Sequence, residues 1–105
     1  MAANTGQAAP DDLWLSSLQE EVLEPELPII DPHHHLWGRS GYTYLMPEFA
    51  ADLASGHNIV ATVFAECHSM YRLTGPEQTR SLGETEFVRG QAAMSASGDF
   101  GTTRA

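Results

Sequence analysis

Lysine is missing altogether from this 105-residue sequence, and its five positive charges are all arginine: Arg39, Arg72, Arg80, Arg89 and Arg104. They are scattered singly, none falls in the first 38 positions, and the formal net charge is −9. A nucleic-acid binder needs a basic stripe to neutralise phosphates, so that class is excluded. Attraction to an anionic membrane surface fails for the same reason. Cysteine is almost absent too. Cys67 stands alone, so no intrachain disulfide is coded, and a reducing cytoplasm is the plain expectation. No stretch approaches the roughly 18 consecutive apolar residues of a membrane span. The first ten residues lack the positive and apolar regions of a secretory signal.

Bulky aliphatic and aromatic core formers are scarce as well. Leu, Ile, Val and Phe make up 21 of the 105 residues, and thirteen alanines raise the apolar fraction without filling much volume. A chain of this length holds one domain at most and has little core to spare. Residues 1–10 read as a disordered leader and 11–105 as the structured part.

Along the chain, Asp11 and Asp12 followed by Leu13, Trp14, Leu18 and Val22 predict a helix over about 11–24, stopped by Pro25 and Pro28. Pro28-Ile29-Ile30-Asp31 reads as a short strand closed by Pro32. Residues 36–46, with Gly38 and Gly41, read as an irregular loop. Pro47–Ala54 suits a short helix, with Gly56 just beyond it. Asn58–Glu66 is the clearest strand, apolar on both faces like a buried parallel strand. A last helix is expected over about Glu84–Ser97. The two strands lie about 30 residues apart, the span of a βαβ unit, and a helix closes the sequence where a third parallel strand is expected.

Asp31-Pro32-His33-His34-His35 carries the strongest chemical signal. On an extended segment His33 and His35 share a face while His34 points away. Two imidazoles on one face can direct nitrogens at one divalent ion. Asp31 has the same parity and suits a ligand or a group orienting a histidine. Two ligands do not make a zinc site, and a His-rich polar loop is the alternative. Glu66 and His68 share parity at the end of the second strand, the end of a parallel barrel where active sites gather. There a carboxylate can act as a base or bind substrate, or simply pair with Arg72. Cys67 points the other way and reads as a small buried apolar residue. His57 reads as a surface residue at the opposite end. Trp14, Trp37, Tyr42 and Tyr44 suit either a pocket wall or plain packing. Glu84-Thr85-Glu86 reads as favourable charge at a helix start.

With PIIDPHHHLW, then GHNIVATVFAECHSMYR and GETEFVRGQAAMSASG, the sequence resembles the start of an amidohydrolase-related protein. The branch is the "amidohydrolase 2" group of metal-dependent hydrolases, which includes lactonases and decarboxylases, and the likeness covers roughly residues 12–105. It implies an α/β fold: the first two βα units of a (β/α)8 TIM barrel, truncated and preceded by an N-terminal helix. A full barrel takes roughly 250 residues. It further implies His33 and His35 as ligands of a divalent metal, zinc or manganese, with the remaining ligands on later strands; Glu66 and His68, read from their place at the end of the second strand, are the catalytic candidates. Some lactonases of the branch act without a metal, so metal-independent action through the same histidines stays open. The implied activity is hydrolysis of a lactone or amide in a small carboxylated substrate, with decarboxylation as the alternative. The isolated chain is then expected to be inactive, needing a complementing C-terminal chain. A non-catalytic, partner-dependent fragment is the remaining alternative.

Overall fold

The computed structural model describes residues 10–39 and 41–105. Apart from Pro10, the leader expected over 1–10 lies outside the described residues. The elements run α1 (Asp12–Leu15), β1 (Pro28–His34), β2 (Trp37–Arg39), β3 (Tyr42–Tyr44), α2 (Met46–Leu53), β4 (Asn58–Phe64), a 3₁₀ turn (Glu77–Thr79) and α3 (Leu82–Ala96). The chain is a mixed α/β structure in which β1 and β4 form a parallel pair, with helices packed beside them.

The strand at Ile29-Ile30 does not stop at Pro32. It continues to His34 with irregular pairing: Asp31 lies opposite Thr62 and His34 opposite Phe64, with a slip in register between them. Proline has no N–H to give to the ladder, so the chain bulges there instead of ending. Strand β4 closes at Phe64, two residues before the expected Glu66, although the Ala65 N–H still donates to the His34 carbonyl at 2.8 Å.

Three other expectations are corrected. The helix over 11–24 shrinks to the single turn of α1, and Leu13, Trp14, Leu18 and Leu23 stay exposed, with no burial surface for them among the described residues. Short helices gain most of their stability from tertiary packing. The Ser16 and Ser17 hydroxyls also bond back to the Leu13 and Trp14 carbonyls, which competes with helix continuation. The loop over 36–46 is in fact an antiparallel hairpin of β2 and β3, with Trp37 opposite Tyr44 and Gly41 at φ 79° in its turn. Aromatic cross-strand pairs favour this arrangement. After α3 the chain also returns to the sheet edge, where it forms an isolated bridge rather than a third strand. Arg104 bridges Ala61 in parallel, its N–H donating to the Val60 carbonyl at 3.1 Å and its carbonyl accepting from Thr62 N–H at 2.7 Å. Ser95 holds that segment, donating to the Thr103 carbonyl and accepting from the Ala105 N–H, both at 3.0 Å.

The core is small. Leu36, Met46 and Phe49 are buried together, with Tyr44, Leu53, Phe64, Phe87, Met94 and Phe100 packed around them. Helix α2 starts on Met46 with Pro47 in its first turn, and the orphan Met46 N–H is taken up by Gln91 of α3 at 2.9 Å. Helix α3 begins at Leu82, earlier than expected, so that Gly83 can lie against the backbone of residues 70–72. Ile30, Val60 and Val63 remain exposed on the strands, so part of the sheet is bare and apolar. No described helix is long and apolar enough to cross a membrane.

Candidate functional site

The bulge at Pro32 sets the directions of the three histidines. His34 turns into the protein, where it is buried and stacks on Phe49 with ring centroids 4.3 Å apart. Burial pushes its pKa down; Asp31 opposes this, while His35 and His33 add to it. His33 and His35 turn the other way and meet, with Nε2 to Nε2 at 3.0 Å. The second nitrogen of His35, Nδ1, lies 2.8 Å from the Ala65 carbonyl at the end of β4. A carbonyl only accepts, so Nδ1 carries the proton and the His35 Nε2 presents a lone pair. His33 then donates its Nε2 proton to that lone pair. Moving the His33 proton to Nδ1 would leave two lone pairs converging on one point.

That geometry fits two ligands of a divalent ion. Ligating nitrogens at about 2.0–2.1 Å from a tetrahedral zinc stand roughly 3.3 Å apart, so the pair opens by only a few tenths of an ångström. The His35–Ala65 contact is the outer bond that metal-binding histidines use to fix tautomer and ring direction. Asp31 is committed differently from the roles its parity suggested: its Oδ1 accepts the His33 backbone N–H at 3.1 Å. Among the described residues, no group of three His, Cys, Asp or Glu side chains is placed to hold a metal ion. The site is a pair, not a full set.

The two histidines open onto a shallow cleft of about 350 Å³, shared with Asp31, Trp37, Tyr42 and Tyr44. Trp37 stacks on His35 with centroids 6.0 Å apart. Tyr44 donates its hydroxyl to Asp52, and burial together with that bond raises its pKa far above the ordinary value. Trp37, Tyr42 and Tyr44 therefore form a wall, while Trp14 is 72% exposed and lines no part of it.

Glu66 and His68 follow β4 at the same end of the sheet as His33 and His35, directly after the Ala65 that holds His35. Neither lines the cleft. Glu66 is exposed, and its suggested partner Arg72 pairs with Glu86 instead. His68 has φ 62° and stacks on Tyr71 at 3.7 Å. The thiol of Cys67 lies 3.8 Å from the Leu36 carbonyl, and burial, then Glu84, pushes its pKa up. It is a poor nucleophile there. His57 is exposed, at the other end of β4.

Comparison with protein-family models, with curated proteins and with solved structures finds no match.

One residue behind the site does more than its sequence position suggested. Glu84 lies in the first turn of α3, as expected, and it is also only 6% exposed, with its Oε2 accepting the N–H groups of Cys67 and Ser69, both at 2.9 Å. His68 and Met70, interleaved with them, both have positive φ. The carboxylate thus clamps the segment carrying Glu66 and His68 in a conformation that non-glycine residues rarely adopt. The sequence signal was the Gly83-Glu84 pair, a residue without a side chain beside a carboxylate at a helix start.

Proposed function

We propose that this chain is the N-terminal part of an amidohydrolase-related (β/α)8 barrel, and that His33 and His35 are two of its metal ligands. The observation that carries the reading is the meeting of the two Nε2 atoms at 3.0 Å, at the C-terminal end of a parallel strand, with His35 oriented by Ala65 of the next one. Three further features support it. The parallel segments lie side by side in chain order, β1, β4 and then Arg104, as successive barrel strands do. Exposed Ile30, Val60 and Val63 suit a sheet surface that further strands would cover. The cleft beside the histidines has aromatic walls of the kind that hold a small substrate.

A divalent cation at His33 and His35 would supply Lewis-acid polarisation of a carbonyl oxygen and activation of a water near neutral pH. The chain's own residues prepare the site for it. Ala65 holds the His35 proton at Nδ1 and so keeps Nε2 available. His34 and Phe49 anchor the bulge from behind. Glu66, on the segment clamped by Glu84, is the candidate to take a proton or accept a substrate hydrogen bond, and His68 the second candidate there. In the reading without metal, the His33 Nε2–H serves as the donor that polarises the substrate carbonyl.

Calorimetric titration with zinc tests the assignment. One binding event per chain is expected, lost in the His33→Ala/His35→Ala double variant and retained when His57 and His68 are both replaced by Ala. Binding unchanged by loss of His33 and His35 would overturn the metal assignment. On the assembled barrel, ring opening of carboxylated lactones supports the hydrolase, and carbon dioxide release from the corresponding acids supports the decarboxylase.

A further inference from the structure

The cleft beside the histidine pair combines aromatic rings with carboxylates. Trp37, Tyr42 and Tyr44 line it from the hairpin, Asp31 from β1 and Asp52 from α2. The hairpin register sets Trp37 opposite Tyr44 and Arg39 opposite Tyr42, so the three rings stand on one face. Each ring centroid lies 6.0 to 6.5 Å from the other two, with the planes inclined by 44° to 65°. At that spacing the rings pack on one another into a continuous platform and leave no void between them.

The charge around this platform is negative. Asp52 accepts the Tyr44 hydroxyl, and a carboxylate that accepts one bond keeps further lone pairs for a cation. Burial raises the Tyr42 pKa, and Asp52, Asp12 and Glu48 raise it further, so three carboxylates act on that phenol. Asp31 adds a fourth at the histidine end of the cleft. Against them stands one basic residue of the hairpin, Arg39, which does not line the cleft. Its guanidinium carbon lies over Trp37, 4.6 Å from the ring centre, so one ring of the platform already holds a cation. Tyr42 and Tyr44 have no such partner among the described residues. Ring faces and carboxylates favour the same sign of charge: the faces through their quadrupole, the carboxylates through their full charge.

We infer that the cleft receives an alkylammonium group of its substrate, seated over Tyr42 and Tyr44 with Asp52 as its counter-ion. The inference rests on the cleft being the substrate site, and it adds the charge of the group that this wall reads. An alkylated nitrogen spreads its charge over carbon-bound hydrogens that pack on ring faces, and it needs no set of converging ligands. An anionic group at the same place would face Asp31 and Asp52 together, so any such group on the substrate lies away from this wall.

The test uses the 105-residue chain carrying Trp14→Phe, so that Trp37 is the remaining indole. Choline and neohexyl alcohol, in which carbon replaces the charged nitrogen, are titrated at low salt while the Trp37 emission is followed. Choline is expected to give a saturable change and to bind at least about tenfold more tightly than the alcohol. Asp52→Asn keeps an acceptor for Tyr44 and removes the charge. It should weaken choline about five- to twentyfold and leave the alcohol unchanged. Tyr42→Leu keeps apolar bulk without a ring face and should weaken choline about three- to tenfold. The Leu variant carries the test if near-ultraviolet circular dichroism shows that the Asn variant has lost its fold. Glu77→Gln makes the same change in net charge on the 3₁₀ turn, outside the cleft, and should leave choline affinity as it was. Equal affinity for the two probes, no saturable change, or a loss in Glu77→Gln as large as that in Asp52→Asn would overturn the inference. Zinc titration of the same samples separates it from the metal assignment. Choline binding that depends on Asp52, without zinc at His33 and His35, would leave the ammonium site standing and remove the metal. Zinc at the two histidines without choline binding would remove the ammonium site and leave the metal.

Discussion

Replacing Glu84 with Ala removes the side chain that holds both the Cys67 and the Ser69 backbone N–H in the segment after β4. Its carboxylate accepts two backbone N–H groups, from Cys67 and Ser69, each at 2.9 Å, and it is 6% exposed. Hydrogen bonds to a charged group contribute about 1.5–3 kcal/mol each. The gross loss is therefore about 3–6 kcal/mol, reduced because the exposed His68 and Met70 can relax from their positive φ once the clamp is gone. A net destabilisation of about 2–4 kcal/mol is expected. That is a large share of the roughly 5–15 kcal/mol a domain has, and the core cluster among the described residues is built on just Leu36, Met46 and Phe49. Glu84→Gln keeps an acceptor oxygen but loses the charge, and should cost about 1–2 kcal/mol. Urea denaturation gives the energies. Amide hydrogen exchange locates them: the Cys67 and Ser69 amides should lose protection in Glu84→Ala while Ala61 and Thr62 in β4 change far less. A loss of stability below about 0.5 kcal/mol, with the Cys67 and Ser69 amides exchanging as before, would refute the clamp.

Three further outcomes follow from the same contacts. Gly83→Ala should destabilise the chain by about 1–3 kcal/mol in urea denaturation, because its Cβ would stand 2.4 Å from the Met70 carbonyl oxygen and 2.8 Å from the Arg72 nitrogen, both backbone atoms that cannot swing aside. His34 is held neutral by burial, with its folded pKa below the ordinary 6.5. The unfolded chain therefore takes up the proton first as pH falls. The stabilisation is fully present above pH 6.5 and is lost as pH drops through the lowered folded value. His34→Phe should flatten stability below pH 6.5, and an unchanged acid limb would contradict the assignment. Ser95→Ala should cost about 1–2 kcal/mol and raise amide exchange at Arg104 and Thr62, since Ser95 ties down Thr103 and Ala105. Unaltered exchange at Thr62 would show that the bridge at Arg104 holds without it.

The parallel pair was legible because Ile29-Ile30 and the run from Asn58 to Phe64 are apolar, β-branched and punctuated by turn residues. The parity of His33 and His35 was legible too, since alternation survives as far as the bulge delivers it. What escaped the sequence was tertiary. Leu13, Trp14 and Leu18 have helical spacing, but spacing does not say whether a surface exists to bury them, and among the described residues they stay exposed. Trp37, Tyr42 and Tyr44 flank Gly41 at hairpin spacing, yet two glycines in ten residues read first as a loop. Glu84 read as charge at a helix start, which it is, but nothing local shows that the chain after β4 will fold back onto its carboxylate. Gly83 allows that approach, and its role becomes visible only once the backbone of residues 70–72 lies against it. The resemblance to amidohydrolases supplied a role for the histidines; the structure contributes the distance between them and the carbonyl that aims one of them.

The pairing of His33 with His35 is read most directly from the long-range nitrogen–proton spectrum of the histidine side chains in the full chain, recorded before and after zinc. Without metal, His35 should be protonated at Nδ1 and bare at Nε2. Zinc should then shift the Nε2 resonances of His33 and His35 together while His57 and His68 stay in place. A His35 tautomer with the proton on Nε2, or zinc that moves His57 or His68 and leaves the pair unaltered, would remove the basis for a shared ligand pair.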